Sequence, residues 1–455
     1  MSGQRVRVFF SPVACPKANI DREKSAWRAA SEGLDIAEAA ESADIAVVFA
    51  CGFIDDAKQE AIDDILAYAA MRRQGKLKGL VVAGCLPEKY GEELARRITE
   101  VDCFVGASEI ERLSQAITGL AGGGSAERIE RRADRGGNWD AARSGLARQP
   151  ERVPCLARPW TRAVMICDGC DNACTYCAIP EMRGPLRSRP PEEVVREAKM
   201  LVEQGAREIV IAGQDTASYG RDSGGPALGQ LIGRLALESG ARWIRLAYAN
   251  PENLDAQVAS SIRNHSNVCH YLDMPIQHAS PAVLAAMGRR KGPNEIRRLV
   301  EQLRMAVPDI ALRTSVIVGF PGESEKDFQA LISFLRSVEF DMVGVFKFSP
   351  QPGTAATRLS DRVPNRIAED RLVEVTSLAH EIAREKTEKL VGRTLEVLVE
   401  GKGKVRGTGR SGYDMAEVDR VIELKKCVAE PGQFVNARIV RTIGAYELEG
   451  TCLNH

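Results

Sequence analysis

Three cysteines in one short segment have a spacing that suits an inorganic cluster. Cys170, Cys174 and Cys177 lie four and three residues apart in the segment DGCDNACTYC, residues 168–177. A loop of this length can bring three thiolates to three corners of a 4Fe-4S cubane, which usually has four thiolate ligands. The fourth iron would then be open to a second molecule. The spacing therefore predicts a catalytic iron–sulfur cluster.

A zinc loop is the main alternative for these thiols. Structural zinc takes four tetrahedral ligands, commonly from two C-x-x-C or Cys/His pairs, and no second pair follows at that spacing. Cys167 forms a reversed triplet with Cys170 and Cys174. We interpret Cys167 as a core residue at the end of a strand over 163–166, because free cysteine often packs as a small apolar side chain.

The C-x-x-x-C-x-x-C spacing, with the aromatic Tyr176 before the last cysteine, resembles that of radical S-adenosylmethionine enzymes. The resemblance implies that S-adenosylmethionine binds the open iron through its amino and carboxylate groups. It further implies that an electron from the cluster cleaves the sulfonium to give a deoxyadenosyl radical. Cys170, Cys174 and Cys177 are the implied catalytic ligands, and Tyr176 is an implied cofactor contact.

Composition limits the class and the compartment. A chain of 455 residues with 44% apolar and 27% charged residues is expected to form two to four globular domains. Its 62 basic and 62 acidic residues give no net charge that would attract nucleic acid or a membrane. No apolar run approaches the ~18 residues of a spanning helix. Twelve cysteines indicate metal or redox use in a reducing compartment, so we expect a cytoplasmic protein without membrane attachment.

A second group of cysteines follows predicted strands near the N-terminus. Apolar segments 6–10, 45–50 and 80–83 alternate with helical patterns at about 20–32, 55–72 and 88–98, which is typical of an open parallel α/β sheet. Such sheets bind ligands just beyond the carboxyl ends of their strands. The cysteines at these ends are Cys15, Cys51 and Cys85. They predict a second three-thiolate site, and three separate core cysteines are the alternative.

Two further cysteines have simpler interpretations. Cys103 lies in a predicted fourth strand and Cys155 in a predicted linker. Neither has an evident partner, so we predict a structural role for Cys103 and assign no role to Cys155.

The three N-terminal loops resemble those of the methylthiotransferase family. They are ACPKANID (14–21), ACGFIDDAK (50–58) and AGCLPEKYG (83–91). The resemblance covers nearly the whole chain. It implies an auxiliary 4Fe-4S cluster on Cys15, Cys51 and Cys85, a central radical S-adenosylmethionine barrel and a C-terminal TRAM barrel. Ala14 replaces a usual glycine and Phe49-Ala50 a usual Asn-Thr pair.

The middle of the chain alternates strands with amphipathic helices from residue 163 to residue 348. About six βα units predict a partial parallel (βα)6 barrel, whose function resides at the carboxyl ends of its strands. One such end carries Gly213, Gln214 and Asp215. The glycine would let backbone approach a ligand, and the two polar side chains can bond an amino group. In the family, the equivalent loop approaches the methionine part of the cofactor.

Two more segments of the barrel match family motifs. LDMPIQHAS (272–280) contains Gln277, an implied cofactor contact, and RTSVIVGFPGE (313–323) begins with Arg313. A guanidinium suits a carboxylate, so Arg313 is a candidate for binding cofactor or substrate. His278 is more often a structural residue than a base.

Short alternating strands at 395–400, 404–410, 417–424 and 433–446 predict a small antiparallel β-barrel. Its charges are nearly balanced, whereas an RNA-binding barrel usually carries a basic stripe. The segment RSGYDMAEVD (410–419) resembles the family branch that modifies a ribosomal protein more than the tRNA branch.

The predicted organisation is α/β, with three domains and one linker. They are an N-terminal cluster domain (1–118), a linker (119–160), a radical S-adenosylmethionine domain (161–385) and a TRAM-like domain (386–455). The resemblance implies transfer of a methylthio group to the β-carbon of an aspartate in a small-subunit ribosomal protein. The implied reaction uses two 4Fe-4S clusters, S-adenosylmethionine and an external electron donor. The alternatives are an isopentenylated adenosine in tRNA, another peptide, or an iron–sulfur scaffold without radical turnover.

Overall fold

The computed structural model describes residues 5–13, 15–124, 128–130, 151–152, 158–225, 227–403 and 406–453. Ala14, Cys155 and most of the predicted linker lie outside this range. Within it, three main sheets follow one another along the chain: two parallel sheets of six strands each and a closed barrel of five strands. The predicted α/β class and the sequence of architectures are confirmed.

The N-terminal sheet is parallel throughout, with strand order β2-β1-β3-β4-β5-β6. Every residue of β3 and β4 is buried, because helices cover both faces of the sheet. The strands are β1 (Arg7–Phe10), β2 (Asp35–Ala37), β3 (Ile45–Ala50), β4 (Gly79–Gly84), β5 (Cys103–Gly106) and β6 (Ile129–Glu130). The α-helices are Pro16–Ser31, Asp55–Arg73, Cys85–Arg97 and Leu113–Ala121, and the 3-10 helices are Ala40–Ser42 and Ala107–Arg112.

Two helices begin earlier than their sequence patterns indicate. The helix predicted from about residue 20 begins at Pro16, and the one predicted from about residue 88 begins at Cys85. Neither has a side-chain cap hydrogen bond at its start, so the usual Ser, Thr, Asp or Asn signal is missing. Strand β6 also lies within the predicted linker, where it pairs with β5.

The central sheet has the order β14-β13-β12-β11-β10-β7, and all its neighbouring strands are parallel. With β7 and β14 at its edges, it forms the predicted six-stranded partial barrel. The strands are β7 (Thr161–Met165), β10 (Glu208–Ala212), β11 (Trp243–Leu246), β12 (Val268–Asp273), β13 (Ala311–Val318) and β14 (Met342–Lys347). A separate antiparallel ribbon joins β8 (Cys167–Asp168) to β9 (Arg187–Ser188).

Helices cover the outer face of the central sheet. The α-helices are Ile179–Arg183, Pro191–Glu203, Leu228–Glu238, Ala256–Asn264, Pro281–Ala286, Pro293–Ala306, Glu325–Val338 and Asn365–Glu388, with 3-10 helices at Thr216–Ser218 and Ala355–Arg358. No helix of the described residues is long and apolar enough to cross a membrane.

The C-terminal barrel is closed, with the order β15-β16-β17-β19-β18. Its pairs are antiparallel except β17 with β19, which are parallel, so the fully antiparallel prediction is wrong at this pair. The segment predicted as one last strand (433–446) covers β18 and the turn before β19. The strands are β15 (Thr394–Lys402), β16 (Arg406–Ser411), β17 (Val421–Lys425), β18 (Phe434–Thr442) and β19 (Glu447–Cys452).

The C-terminal barrel closes the amino-terminal end of the central sheet. Leu398 and Met415 pack there against Trp243 and Tyr271 in one apolar cluster. Glu208, the first residue of β10, is fully buried and accepts hydrogen bonds from the guanidinium of Arg245 at 2.7 Å and from that of Arg410. The opposite, carboxyl end of the sheet is therefore the one that remains available for chemistry.

A buried ionic interface joins the N-terminal domain to the central sheet. The helix Pro16–Ser31 buries four consecutive charged residues, from Asp21 to Lys24. Glu23 pairs with Arg162 at 2.8 Å, and Lys24 pairs with Glu197 at 3.6 Å. Because buried charges are costly without partners, this network favours one docked orientation of the two domains.

Candidate active site

The three-cysteine loop lies beyond the carboxyl end of β7, between β8 and the helix Ile179–Arg183. Two glycines allow close backbone contacts that hold it. A Cβ on Gly169, which has φ of +74°, would lie 1.9 Å from the Pro185 carbonyl oxygen. A Cβ on Gly288 would lie 2.5 Å from the carbonyl oxygen of Ala173 in the loop. Any side chain at either position would displace the loop.

Polar groups point at the sulfurs of this loop. Asn172 Nδ2 donates to Cys170 Sγ at 3.2 Å, and Arg289 Nη1 donates to Cys174 Sγ at 3.7 Å. Burial raises the pKa of the Cys177 thiol to about 12, with further increases from Cys174 and Cys170. The three sulfurs thus lie within electrostatic reach of one another, and metal binding would release their protons.

Cys167 is more deeply buried than these three cysteines, although Cys170 is close enough to raise its pKa. It is fully buried, its Sγ donates to the Asp215 carbonyl oxygen at 3.5 Å, and burial raises its pKa well above the ordinary thiol value. A Cβ on Gly213 would lie 2.8 Å from this Sγ. The structure agrees with the interpretation of Cys167 as a core residue. It also gives Gly213 a different role from the predicted one, since the glycine makes room for Cys167.

Cys15, Cys51 and Cys85 follow β1, β3 and β4, which are adjacent in the sheet. All three side chains are half-buried. A Cβ on Gly84, with φ of +114°, would lie 2.9 Å from the Ala50 carbonyl oxygen, so the loops of Cys51 and Cys85 are in close contact. Burial raises the pKa of Cys51 to about 11, and Cys85 and Cys15 raise it further.

Neither trio is arranged for a single metal ion. Within the described parts of the chain, no three His, Cys, Asp or Glu side chains are placed to hold one ion. In a cubane each thiolate binds a different iron, so its ligands need not converge on one point. Two groups of three neighbouring thiols are the donor set that this chemistry requires, and they fit it better than zinc.

Lys17, two residues after Cys15, is close enough to affect both trios. Its Nζ is 4.0 Å from the ring centroid of Tyr248, a cation–π contact. Burial raises the pKa values of both Cys51 and Cys177, and the positive charge of Lys17 opposes the rise in each case. The lysine is therefore within electrostatic reach of both groups of sulfurs, which face a common region.

Several predicted cofactor contacts are placed near the loop. Gln214 Oε1 is buried and has no hydrogen-bond partner among the described residues, so it can accept from an ammonium group such as that of S-adenosylmethionine. Tyr176 packs edge-on against Phe320, with ring centroids 6.5 Å apart. Gln277 has a strained φ of +71°. A cavity of about 280 Å³ adjoins Cys174 and Cys177.

Two other candidates have different partners from those expected. The Asp215 carboxylate accepts five hydrogen bonds, from Asn172, Asn253 and Ser218 side chains and from the Ala217 and Asn250 amides. It therefore has no acceptor capacity left for a cofactor amine.

Arg313 is also fully engaged. Its guanidinium pairs with Asp419 of the C-terminal barrel at 3.1 Å and with Asp273 at 3.6 Å. Two carboxylates already balance the charge, so Arg313 joins domains instead of binding a cofactor carboxylate. His278 is buried and neutral, because burial lowers its pKa to about 4, as expected of a structural histidine.

Four residues of the site were not identified from the sequence: Lys17, Asn172, Arg183 and Arg289. The partner ring or sulfur of Lys17, Arg183 and Arg289 is distant in sequence. Asn172 lies two residues after its partner Cys170, so its position within the cysteine loop offered a signal. Lys17, two residues after Cys15, and Arg183, six residues after Cys177, are also close to a recognised cysteine.

Comparison with known proteins agrees with this architecture. Residues 164–335 match the Radical SAM superfamily, residues 391–453 the TRAM domain, and residues 7–106 the uncharacterized protein family UPF0004. The radical S-adenosylmethionine methyltransferase TsrM from Kitasatospora setae has a similar fold, with a TM-score of 0.55 at 13% identity over 86% of this chain and 76% of that one. The fold and the site define a radical S-adenosylmethionine enzyme with a cysteine-bearing N-terminal domain and a TRAM barrel.

Full-length relatives identify the family. The chain is 38% identical to ribosomal protein uS12 methylthiotransferase RimO of Geobacter sulfurreducens over 100% of both chains. It is 39% identical to the enzyme of the same name from Symbiobacterium thermophilum, over 99% of this chain and 92% of the relative. The chain belongs to the RimO family of radical S-adenosylmethionine methylthiotransferases.

Proposed function

We propose that the protein transfers a methylthio group to the β-carbon of an aspartate in ribosomal protein uS12, and that it holds two 4Fe-4S clusters to do so. The observation that carries the proposal is the pair of cysteine trios, one beyond the ends of β1, β3 and β4 and one beyond the end of β7, with Lys17 within electrostatic reach of both. Relatives named for action on uS12 align over the whole chain, which supports the same substrate here.

In this proposal Cys170, Cys174 and Cys177 hold the cluster that binds S-adenosylmethionine, and Cys15, Cys51 and Cys85 hold the auxiliary cluster. When bound, the two clusters and S-adenosylmethionine supply the electron, the radical and the sulfur. Gln214 accepts from the cofactor ammonium, and Tyr176 shields the site from water. The protein's own contribution is to hold these groups in line with the substrate carbon.

Charge pairing favours a protein substrate over tRNA. Basic side chains of the C-terminal barrel are largely paired with acids of the same barrel or the central domain. Examples on the barrel surface are Arg441 with Glu449 at 3.1 Å and Arg406 with Glu423 at 2.6 Å. Phosphate binding needs free cations. We further propose a cytoplasmic protein that receives electrons from an external donor and has no membrane partner.

The test uses the anaerobically reconstituted full chain with S-adenosylmethionine, a reductant and a peptide that contains the uS12 aspartate loop. We expect the peptide to gain one methylthio group in place of hydrogen, located on the aspartate by tandem mass spectrometry. Isopentenylated tRNA in a parallel reaction should remain unmodified. Modified tRNA with an unmodified peptide would overturn the substrate assignment. Cys174→Ala is the control and should abolish deoxyadenosine formation.

A further inference from the structure

Arg183 of the central domain reaches a cysteine of the N-terminal domain. Its Nε donates to Cys85 Sγ at 3.4 Å, and its side chain is only 3% exposed. The same guanidinium lies 3.2 Å from Asp21 Oδ2, on the helix that follows Cys15, and 3.8 Å from Asp168 Oδ1. One buried side chain therefore contacts both cysteine-bearing parts of the molecule.

The position of Arg183 in the chain makes this contact specific. It ends the helix Ile179–Arg183, which begins two residues after Cys177. Asp168 lies two residues before Cys170 at the other end of the same loop. The loop that carries one trio is thus fastened through Arg183 to a sulfur of the other trio. A planar guanidinium can make these contacts at once, because its donors point in fixed, separate directions.

A donor at a cluster sulfur has a known electronic consequence. Reduction adds negative charge to the iron–sulfur core, and hydrogen bonds to its sulfurs stabilise that charge and raise the reduction potential. Burial strengthens the effect, because water does not screen the interaction. Asp21 and Asp168 balance part of the guanidinium charge, so the directed N–H group remains the main contribution.

We propose that Arg183 is a positioning residue for the auxiliary cluster. Arg183 raises the reduction potential of this cluster through the Cys85 sulfur and fixes the location of the cluster relative to the radical-forming loop. This inference rests on the proposed function, because it requires a cluster on Cys15, Cys51 and Cys85. Arg289 has the equivalent relation to the other trio, through Cys174.

The experiment isolates the auxiliary cluster in the full chain by a Cys170, Cys174 and Cys177 triple alanine variant. Iron and sulfide counting comes first, and a protein without iron would show that the proposed auxiliary site is wrong. If a cluster is present, its potential is measured by anaerobic redox titration with EPR detection, with and without R183Q. We expect R183Q to shift the potential to more negative values and to change the EPR spectrum of the reduced cluster.

Two further variants separate the hydrogen bond from other effects. R183K keeps the charge but loses the planar donor, and we expect an intermediate shift. R162Q removes a buried arginine that pairs with Glu23 in the same domain interface, and we expect no shift. An unchanged potential in both R183Q and R183K, with the cluster present, would overturn the inference. So would an equal shift in R162Q, because general loosening of the interface would then explain the result.

Discussion

Asn172 donates through Nδ2 to the carboxylate of Asp215 at 2.7 Å, and this bond joins the three-cysteine loop to the loop after β10. The same Asn172 amide lies 3.2 Å from Cys170 Sγ. Asp215 is 2% exposed. Asp215, which resembles a cofactor ligand in the sequence, therefore positions the loop of Cys170, the proposed cluster ligand.

Asp215→Ala should release the cysteine loop. It leaves several buried donors unpaired, each at a cost of about 1–3 kcal/mol. We expect faster loss of iron from the Cys170 site and a large fall in deoxyadenosine formation, with Asp215→Asn intermediate. Asp222→Ala is the matched control. This exposed carboxylate accepts hydrogen bonds from the amide and the hydroxyl of Ser188 in β9. Wild-type turnover by Asp215→Ala would contradict the assigned role.

Gly84→Ala should remove the auxiliary cluster alone. The new Cβ would lie 2.9 Å from the Ala50 carbonyl oxygen and push Cys85 away from Cys51. We expect about four fewer iron atoms per chain than in the wild type. Gly33→Ala places alanine at a similarly strained φ of +90° but with nothing within 4 Å, so it controls for backbone strain. Equal iron content in the Gly84 and Gly33 variants would show that the close contact is unimportant.

Glu208 should make stability depend on pH. Burial alone would raise its pKa, but Arg410 and Arg245 outweigh burial and lower the pKa to about 2 from the ordinary 4.5. The stabilisation is therefore complete above about pH 4.5 and disappears as the pH falls through about 2.

Glu208→Gln leaves the buried guanidinium of Arg245 without its carboxylate and leaves Arg410 with Glu400 alone, so we expect a loss of about 3 kcal/mol in the free energy of unfolding at neutral pH. The difference from wild type should shrink as the pH falls below about 4.5, measured by denaturant titration. Glu192→Gln removes an exposed, solvent-screened partner of Arg234 and should leave the free energy of unfolding nearly unchanged. A difference that stays constant down to acidic pH would exclude Glu208 as the titrating group.

Cys167→Ala should leave the iron content unchanged. The thiol packs beside Gly213 in the core, so its loss should cost only about 1 kcal/mol of stability. The test measures the iron and sulfide content of the Cys167→Ala variant and compares it with that of the Cys170→Ala variant. Equal iron loss in both variants would show that the reversed triplet holds the cluster.

Uninterrupted apolar segments made the strands of both parallel sheets predictable. Ile45–Ala50 is an example, since such runs are typical of strands covered on both faces. The grouping of the cysteines that follow these strands was also predictable, because parallel strands end at one edge of the sheet. Strand β6 was missed because two residues carry no detectable pattern.

Side-chain partners were not predictable where they depend on distant segments. Arg313 and Asp419 are 106 residues apart, and Asp215 and Asn172 are 43 apart. A polar residue at the end of a strand has the same local pattern whether it faces a ligand or another loop. The contact of Arg313 depends on docking of the C-terminal barrel. The contact of Asp215 depends on closure of the cysteine loop.

The presence of two separate clusters is tested most directly by iron and sulfide counting after anaerobic reconstitution. We compare the wild type with a Cys15, Cys51 and Cys85 triple alanine variant. The wild type should bind about eight iron atoms per chain and the variant about four. The variant should still cleave S-adenosylmethionine but should transfer no methylthio group. A variant that keeps the full iron content of the wild type would contradict the account.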